Sequence, residues 1–434
     1  MRKIFQYILM AVALVATASC SNELDETLQS AGNGNLQFVV SDFPAFGEGT
    51  QTRAIGTQDG GKTAWANEDK ILVHLYSQKY GDQAVTLTFD AENNTWESDD
   101  VTLSYLENET PTITAVYAPD CEIKSDKTIG LLEGKQYGEA EYIPAKTTIS
   151  GNTLDIRFES GRTYSRLRIA GLANQTLTVT TGGFTPAGAT EVATAAYTLT
   201  TDDNGNAFLY GVFAEGATVS VRQGDITLKD YTFTAEKNPN GTAHNKSYGL
   251  DATPVIDGTL GGKAEATEDD ITALVEQLKE YVDNGITTII VPGSEPAMID
   301  VGSLTITAIG EAIYRLSKEE SYNGKIDLVL PDVTEIVDQE FYGARALNSI
   351  NLPKVTTVGD GAFYDCQYLE ELTFGSVVTA INHKLRAEFY KVGEKVEGCD
   401  LVLNREQVNA EADYQPNIET RTWWNTEWKS ITLK

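Results

Sequence analysis

The chain has 434 residues, with 33 Lys and Arg against 63 Asp and Glu, for a formal charge of −30. A charge of that size keeps a chain in solution and repels phosphate backbones, which argues against a nucleic-acid partner. His74, His244 and His383 stand far apart, with no HExxH or CxxC spacing, so neither a zinc site nor any metal cofactor is expected.

Arg2 and Lys3 precede an apolar run over residues 8–16, and Ala18 and Ser19 lead into Cys20. A basic start, a short apolar run and small residues read as a secretory signal peptide, too short to persist as a membrane span. With the cysteine at the cleavage point, Thr17-Ala18-Ser19-Cys20 resembles the lipobox of a bacterial lipoprotein. The resemblance implies that residues 1–19 are removed and that Cys20 becomes the acylated first residue, its several chains anchoring it stably in outer-membrane lipid. The acidic stretch Ser21-Asn22-Glu23-Leu24-Asp25-Glu26 resembles the signal that sends such lipoproteins to the cell exterior. Residues 20–35 lack any apolar period and are expected to form a flexible acidic tether.

Residues 36–252 alternate apolar and polar positions at Leu36-Phe38-Val40, Ile71-Val73-Leu75, Val85-Leu87-Phe89, Val101-Leu103-Tyr105 and Ile113-Ala115-Tyr117. A second set runs through Leu154-Ile156-Phe158, Leu167-Ile169, Leu177-Val179, Tyr197-Leu199, Phe208-Tyr210, Val219-Val221, Ile226-Leu228 and Tyr231-Phe233. Period-two runs separated by Gly, Asn and Asp clusters predict antiparallel β-sandwich. The stretch is too long for one ordinary sandwich, so two are expected, over 36–150 and 151–255, with the boundary at Ile149-Ser150-Gly151-Asn152.

Thr52-Arg53-Ala54, then Trp65-Ala66-Asn67-Glu68-Asp69-Lys70-Ile71-Leu72-Val73, resemble the N-terminal region of Bacteroidales fimbrillin-like proteins. Ser165-Arg166-Leu167-Arg168-Ile169 and Lys246-Ser247-Tyr248-Gly249-Leu250 fit the same family. The resemblance implies two transthyretin-like sandwiches on a surface lipoprotein and, in some members, pilus assembly by donor-strand exchange after proteolysis at an arginine. Arg53 stands at the matching place. Such assembly is strand addition, in which a supplied strand adds main-chain hydrogen bonds to an open sheet.

The remaining segment, 264–434, reads differently. Thr267 and Asp270 form an approximate capping box, and Ile271, Leu274, Val275, Leu278 and Val282 make one helical stripe ended by Gly285. This is the expected N-terminal capping helix. Ile289-Ile290-Val291-Pro292 reads as the strand of a degenerate first repeat, and residues 308–314 as its altered second half. Leu330-Pro331 then recurs as Leu352-Pro353 at an offset of 22 residues, together with Val333/Val355, Asp338/Asp360, Phe341-Tyr342/Phe363-Tyr364 and Leu347/Leu369. A third copy opens at Leu372 and Phe374 and closes at Ile381. The period lies in the leucine-rich-repeat range, and Ile350-Asn351-Leu352-Pro353 with residues 358–366 resembles the BspA type of bacterial surface antigen. Leu401-Val402-Leu403 and Trp428-Ile431-Leu433 are expected to supply closing strands, with Trp423, Trp424 and Trp428 as a hydrophobic lid or a glycan-stacking platform.

The expected fold is therefore mainly β: two sandwiches and a short capped repeat module. No catalytic constellation stands out, so no enzyme is expected. The outward positions of the repeat strands are Asp327, Val329, Ser349, Asn351, Glu371 and Thr373. None is aromatic and most are polar, which suits contact with a host or bacterial surface protein, pilus subunits included. The chain is thus expected to be a lipid-anchored adhesin or pilus-associated subunit, the alternative being a surface glycan-binding lipoprotein serving polysaccharide uptake.

Overall fold

The computed structural model describes residues 36–46, 62–99, 102–106, 109–158, 162–236, 241–382 and 388–434. Cys20 and Arg53, the expected lipidation and cleavage positions, lie outside the described residues, as does His383. The chain is mainly β and divides into two compact units, Met1–Arg222 with Lys229–Ala252, and Gln223–Leu228 with Thr253–Lys434. Among the described residues no helix is long and apolar enough to cross a membrane.

In the first unit, a five-stranded antiparallel sheet runs in the order Thr95–Ser98, Gly81–Asp90, Lys70–Ser77, Thr112–Tyr117, Ile143–Pro144. A three-stranded sheet places Gln37–Val40 parallel to Thr153–Arg157, which pairs in turn with Lys146–Ser150. Ile71, Val73, Leu75, Val85 and Leu87 of the larger sheet share one core with Leu36, Leu154, Ile156 and Phe158. The turn at Gly151-Asn152, expected as a domain boundary, instead closes a hairpin of this first sandwich. Alternation alone cannot say whether a turn separates domains or two neighbouring strands.

The expected strand Val101-Leu103-Tyr105 is a correction of another kind. Leu103 and Tyr105 are buried, yet residues 102–106 form no strand. The Gln83 side chain takes the place of a partner strand: its Nε2 donates to Ser104 O (2.8 Å) and its Oε1 accepts from Ser104 N (2.7 Å).

A further sheet runs Ala193–Thr200, Thr176–Pro186, Asn206–Gln223, Ser165–Ala170, Ser247–Asp251, with Ile226–Thr232 as a sixth strand. Phe208-Tyr210 and Val219-Val221, expected in separate strands, lie in one 18-residue strand. Its partner Thr176–Pro186 shifts register between Gly182 and Phe184, so each half of the long strand meets a different stretch. Gly183 sits there at φ +68°, and an added Cβ would lie 3.1 Å from Ala217 Cα. A bulge of this kind bends a sheet without ending a strand.

In the second unit, α1 (Glu268–Asp283) has the expected capping box between Thr267 and Asp270. It buries Ile271, Leu274, Leu278 and Tyr281. One capping helix was expected, but residues 308–314 lie in a second helix, α2 (Ala308–Leu316), capped by Thr307 and buried along most of its length. The unit also begins before residue 264: Ile256 is fully buried in its core and donates its N–H to Ile290 O at 2.9 Å. Six parallel strands then stack in the order Thr288–Ile290, Ile326–Val329, Leu347–Leu352, Glu371–Phe374, Asp400–Leu403, Ser430–Leu433. The expected degenerate first strand and both closing strands are in this sheet. A second parallel ladder joins Glu335–Ile336, Thr357–Val358 and Ala380–Ile381.

Candidate binding face of the repeat unit

Strand periodicity alone separates the two sides of the repeat sheet. Leu328, Ile350, Leu372 and Leu401 align in register and are buried, because period-two alternation sends every second side chain into the core. The six candidate face residues occupy the intervening positions, and none of them is buried.

The register assembles them into two rows. One runs Thr288, Asp327, Ser349, Glu371, Asp400, Ser430, and the other Ile290, Val329, Asn351, Thr373, Val402, Thr432. Strands about 4.8 Å apart make each row roughly 24 Å long. The sequence named only the central three strands. Asp400, Ser430, Val402 and Thr432 extend the rows through the closing strands, Val402 being the one buried member, and the alternation at Leu401-Val402-Leu403 and Ile431-Leu433 carried the signal.

The first row mixes three carboxylates with three hydroxyls, and each carboxylate accepts from a hydroxyl donor. Ser349 Oγ donates to Asp327 Oδ1 at 2.7 Å, and Asn348 Nδ2 donates to the same oxygen at 2.8 Å. Ser430 Oγ donates to Asp400 Oδ1 at 2.7 Å, and Thr373 Oγ1 to Glu371 Oε1 at 3.0 Å. Ser349 separates Asp327 from Glu371, whereas Glu371 and Asp400 stand side by side, with Lys429 Nζ 3.4 Å from Asp400 Oδ2. Chemically this is an acidic hydrogen-bonding strip beside a mixed strip, suited to polar and basic groups of another protein.

Behind the sheet, aromatic rings repeat in two columns. Phe341, Phe363 and Phe389 stack inside at 5.7 and 5.8 Å, and Tyr342, Tyr364 and Tyr390 outside at 5.1 and 5.0 Å. The third copy therefore runs past Ile381, its expected end, to Phe389-Tyr390. An offset of 26 residues instead of 22 hid this pair in the sequence. The residue after each tyrosine is left-handed: Gly343 at φ 66°, Asp365 at 64°, Lys391 at 58°.

The residue before each phenylalanine shows how the stack is closed. In the middle copy it is Ala362; at the two ends it is Glu340 and Glu388, both buried. Thr307 N donates to Glu340 Oε2 at 3.1 Å, and Thr307 Oγ1 donates to Oε1. The carboxyl group thus meets the start of α2, where free N–H groups favour an acceptor. Gly310 makes room, since an added Cβ would lie 2.7 Å from Glu340 Oε1. Burial pushes the Glu340 carboxyl up to about 7, against the pull of its two Thr307 bonds. At the other end Glu388 Oε2 accepts from Trp424 Nε1 at 3.1 Å. Trp423 and Trp428 are buried, 1% and 2% exposed, and form the lid; Trp424 is only half-buried.

The described cysteines Cys121, Cys366 and Cys399 are buried and unpaired. Among the described residues no three or more His, Cys, Asp or Glu side chains are grouped to hold a metal ion.

Comparison with known proteins finds the repeats. The family described as BspA type leucine rich repeat region (6 copies) matches residues 324–392. No curated protein matches the chain. Among solved structures, a candidate cell adhesion protein from Bacteroides fragilis is similar at 10% identity and TM-score 0.28, covering 50% of this chain and 92% of its own. A candidate cell adhesion protein from Bacteroides ovatus is similar at 12% identity and TM-score 0.25, covering 49% and 92%. Two B repeat units of the collagen binding protein of Staphylococcus aureus are similar at 13% identity and TM-score 0.13, covering 49% and 50%. What stands is that this mainly β chain carries a BspA type leucine rich repeat region over 324–392.

Proposed function

We propose that the chain is a non-enzymatic surface adhesin, anchored in outer-membrane lipid through Cys20 and facing the cell exterior. In this reading it contacts a protein partner through the two outward rows of the repeat sheet. The observation that carries the reading is the acidic, hydroxyl-rich row Asp327, Ser349, Glu371, Asp400, Ser430, which is accessible and contains no aromatic ring. Val402 is buried, so eleven accessible positions make a small interface. Stable complexes bury about 800 Å² per partner, so the contact is expected to be weak singly and stronger when many copies share one surface.

The test presents the full chain, and a variant carrying Asp327→Lys and Glu371→Lys, to immobilised host matrix proteins and purified pilus subunits. The native chain should retain at least one partner and the variant should lose it. Equal capture of both would remove the rows from the reading. Radiolabelled palmitate incorporation that survives Cys20→Ala would remove Cys20 as the anchor.

A second reading, as a pilus-associated tip or accessory subunit, has its own support. Gln37–Val40 pairs with Thr153–Arg157, and Leu36 and Phe43 lie in the sandwich core, all on the N-terminal side of Arg53. A cut after Arg53 would detach this strand and leave Thr153–Arg157 open for a partner's strand. N-terminal sequencing of the surface-exposed chain tests it, with Ala54 as the expected first residue. A chain that still begins at Cys20 on intact piliated cells excludes it.

A further inference from the structure

We propose that the chain also binds a neutral saccharide, on a platform built around Trp424 at the C-terminal cap of the repeat unit. This goes beyond the protein-contact role of the strand rows and uses a separate surface.

The hairpin of Thr422–Trp423 and Thr426–Glu427 turns through Trp424 and Asn425, at φ 47° and 55°. Two left-handed central residues make the turn that Asn and Gly usually fill, and a bulky side chain there is an outlier. Such conformations persist only where the surroundings over-determine them, and they gather at ligand sites. Trp424 is fixed in two ways. Its indole N–H is held by the buried Glu388 carboxylate, and its ring lies parallel to Tyr414 with centroids 5.2 Å apart and 6° between the planes.

Trp423 and Trp428 spend their rings on the core, whereas Trp424 stays partly exposed. It lines an open groove of about 520 Å³ with Asp413, Gln415, Asn417 and Asn425, all four exposed. That volume lies in the range of ~300–1,000 Å³ of small-ligand clefts. The side chains of Asp413 and Asn425 make no hydrogen bond or ion pair among the described residues. Gln415 uses only its Nε2, toward Ala410 O at 2.8 Å, and Asn417 only its Oδ1, from Thr420 N at 3.0 Å.

A rigid indole surrounded by unspent amides and a carboxylate matches one ligand chemistry well. The C–H face of a sugar ring packs on the indole, while planar amide and carboxylate groups each take neighbouring hydroxyls. A fixed ring loses little freedom on binding. The Asp413 carboxylate, without a cation beside it, disfavours anionic sugars.

The full chain is applied to a glycan array of neutral and anionic oligosaccharides, and the best neutral ligand is titrated against tryptophan fluorescence. Binding to neutral sugars is expected, with Trp424→Ala weakening it by about tenfold or more. Asn425→Gly keeps a left-handed turn residue and should weaken binding by several-fold at an unchanged melting temperature. If Trp424→Ala lowers the melting temperature, Asn425→Gly and Asp413→Ala decide alone. No saccharide bound by the native chain, a preference for anionic sugars, or unchanged binding in Asn425→Gly and Asp413→Ala overturns the proposal. Protein capture by the Asp327 and Glu371 rows does not depend on the outcome.

Discussion

In the first unit the strand Asn206–Gln223 meets several partners and changes register at a bulge, while in the second each strand from Thr288–Ile290 to Ser430–Leu433 repeats the same two outward positions. The antiparallel unit is held by particular contacts, each made once. The Arg162–Glu141 ion pair is one, with Arg162 also 3.8 Å above the Phe46 ring. The Gln83 amide standing in for a strand is another. The parallel unit is held by the same contact made several times, as in the phenylalanine column, and the ends of that column carry the buried carboxyls Glu340 and Glu388. A repeated fold places its specificity in its caps, because the middle copies satisfy each other.

Breaking the column should cost most. Phe363 is fully buried between Phe341 and Phe389, so Phe363→Ala should cost about 3–5 kcal/mol. Urea unfolding of the repeat unit, followed by tryptophan fluorescence, measures it, and a loss under about 1 kcal/mol would mean that the column is not the support described.

The ion pair of the other unit should fail in a different way. Arg162→Leu leaves the buried Glu141 carboxylate without its cation and should cost about 3–5 kcal/mol, whereas Arg162→Leu with Glu141→Leu should recover most of it. Chemical denaturation of both variants decides: a double variant as weak as the single one would show that shape, not charge, matters there.

Glu340 sharpens the comparison through pH. Its folded value, near 7, lies above the ordinary 4.5, so the folded state holds a proton that the unfolded state releases. Its contribution is therefore complete below about 4.5, falls as pH rises to about 7, and is flat above, a change on the order of 3 kcal/mol. Glu340→Gln should remove that part of the slope, and calorimetric melting between pH 4.5 and 8 tests it. An unchanged slope would rule out Glu340 as its source.

Two smaller effects mark where the repeat unit is merely adequate. Thr267→Ala, which removes the N-cap of α1, should cost about 1 kcal/mol. Lys391→Gly should raise stability by about 0.5–1 kcal/mol, since Lys391 holds the left-handed position that Gly343 fills in the first copy. Thermal melts of the two variants should move in opposite directions.

Much of the second unit was legible in the sequence. A 22-residue offset fixes which side chains align, and strand alternation fixes which face outward, so Asp327, Ser349 and Glu371 fall in one row without further information. The capping box at Thr267 and Asp270 was equally local. What escaped was the third Phe-Tyr pair, displaced by extra residues before Phe389, and α2, read as part of a degenerate repeat. Residues 308–314 satisfy either reading until Glu340 supplies an acceptor at the helix start. In the first unit the strands were legible but their neighbours were not, and the turn at Gly151-Asn152 was misjudged for that reason.

By itself the sequence determined the mainly β class, the repeat period, the α1 cap and the six central residues of the outward rows, because each rests on spacings of a few residues or on exact recurrence. Only the tertiary structure decided that Gln37–Val40 runs parallel to Thr153–Arg157, that Gly183 lets one long strand change register, and that Glu340 and Glu388 close the stack. Trp424, half-buried while Trp423 and Trp428 are spent on the core, belongs with these. Each depends on groups brought together from distant parts of the chain, and a local pattern carries no record of its distant partner.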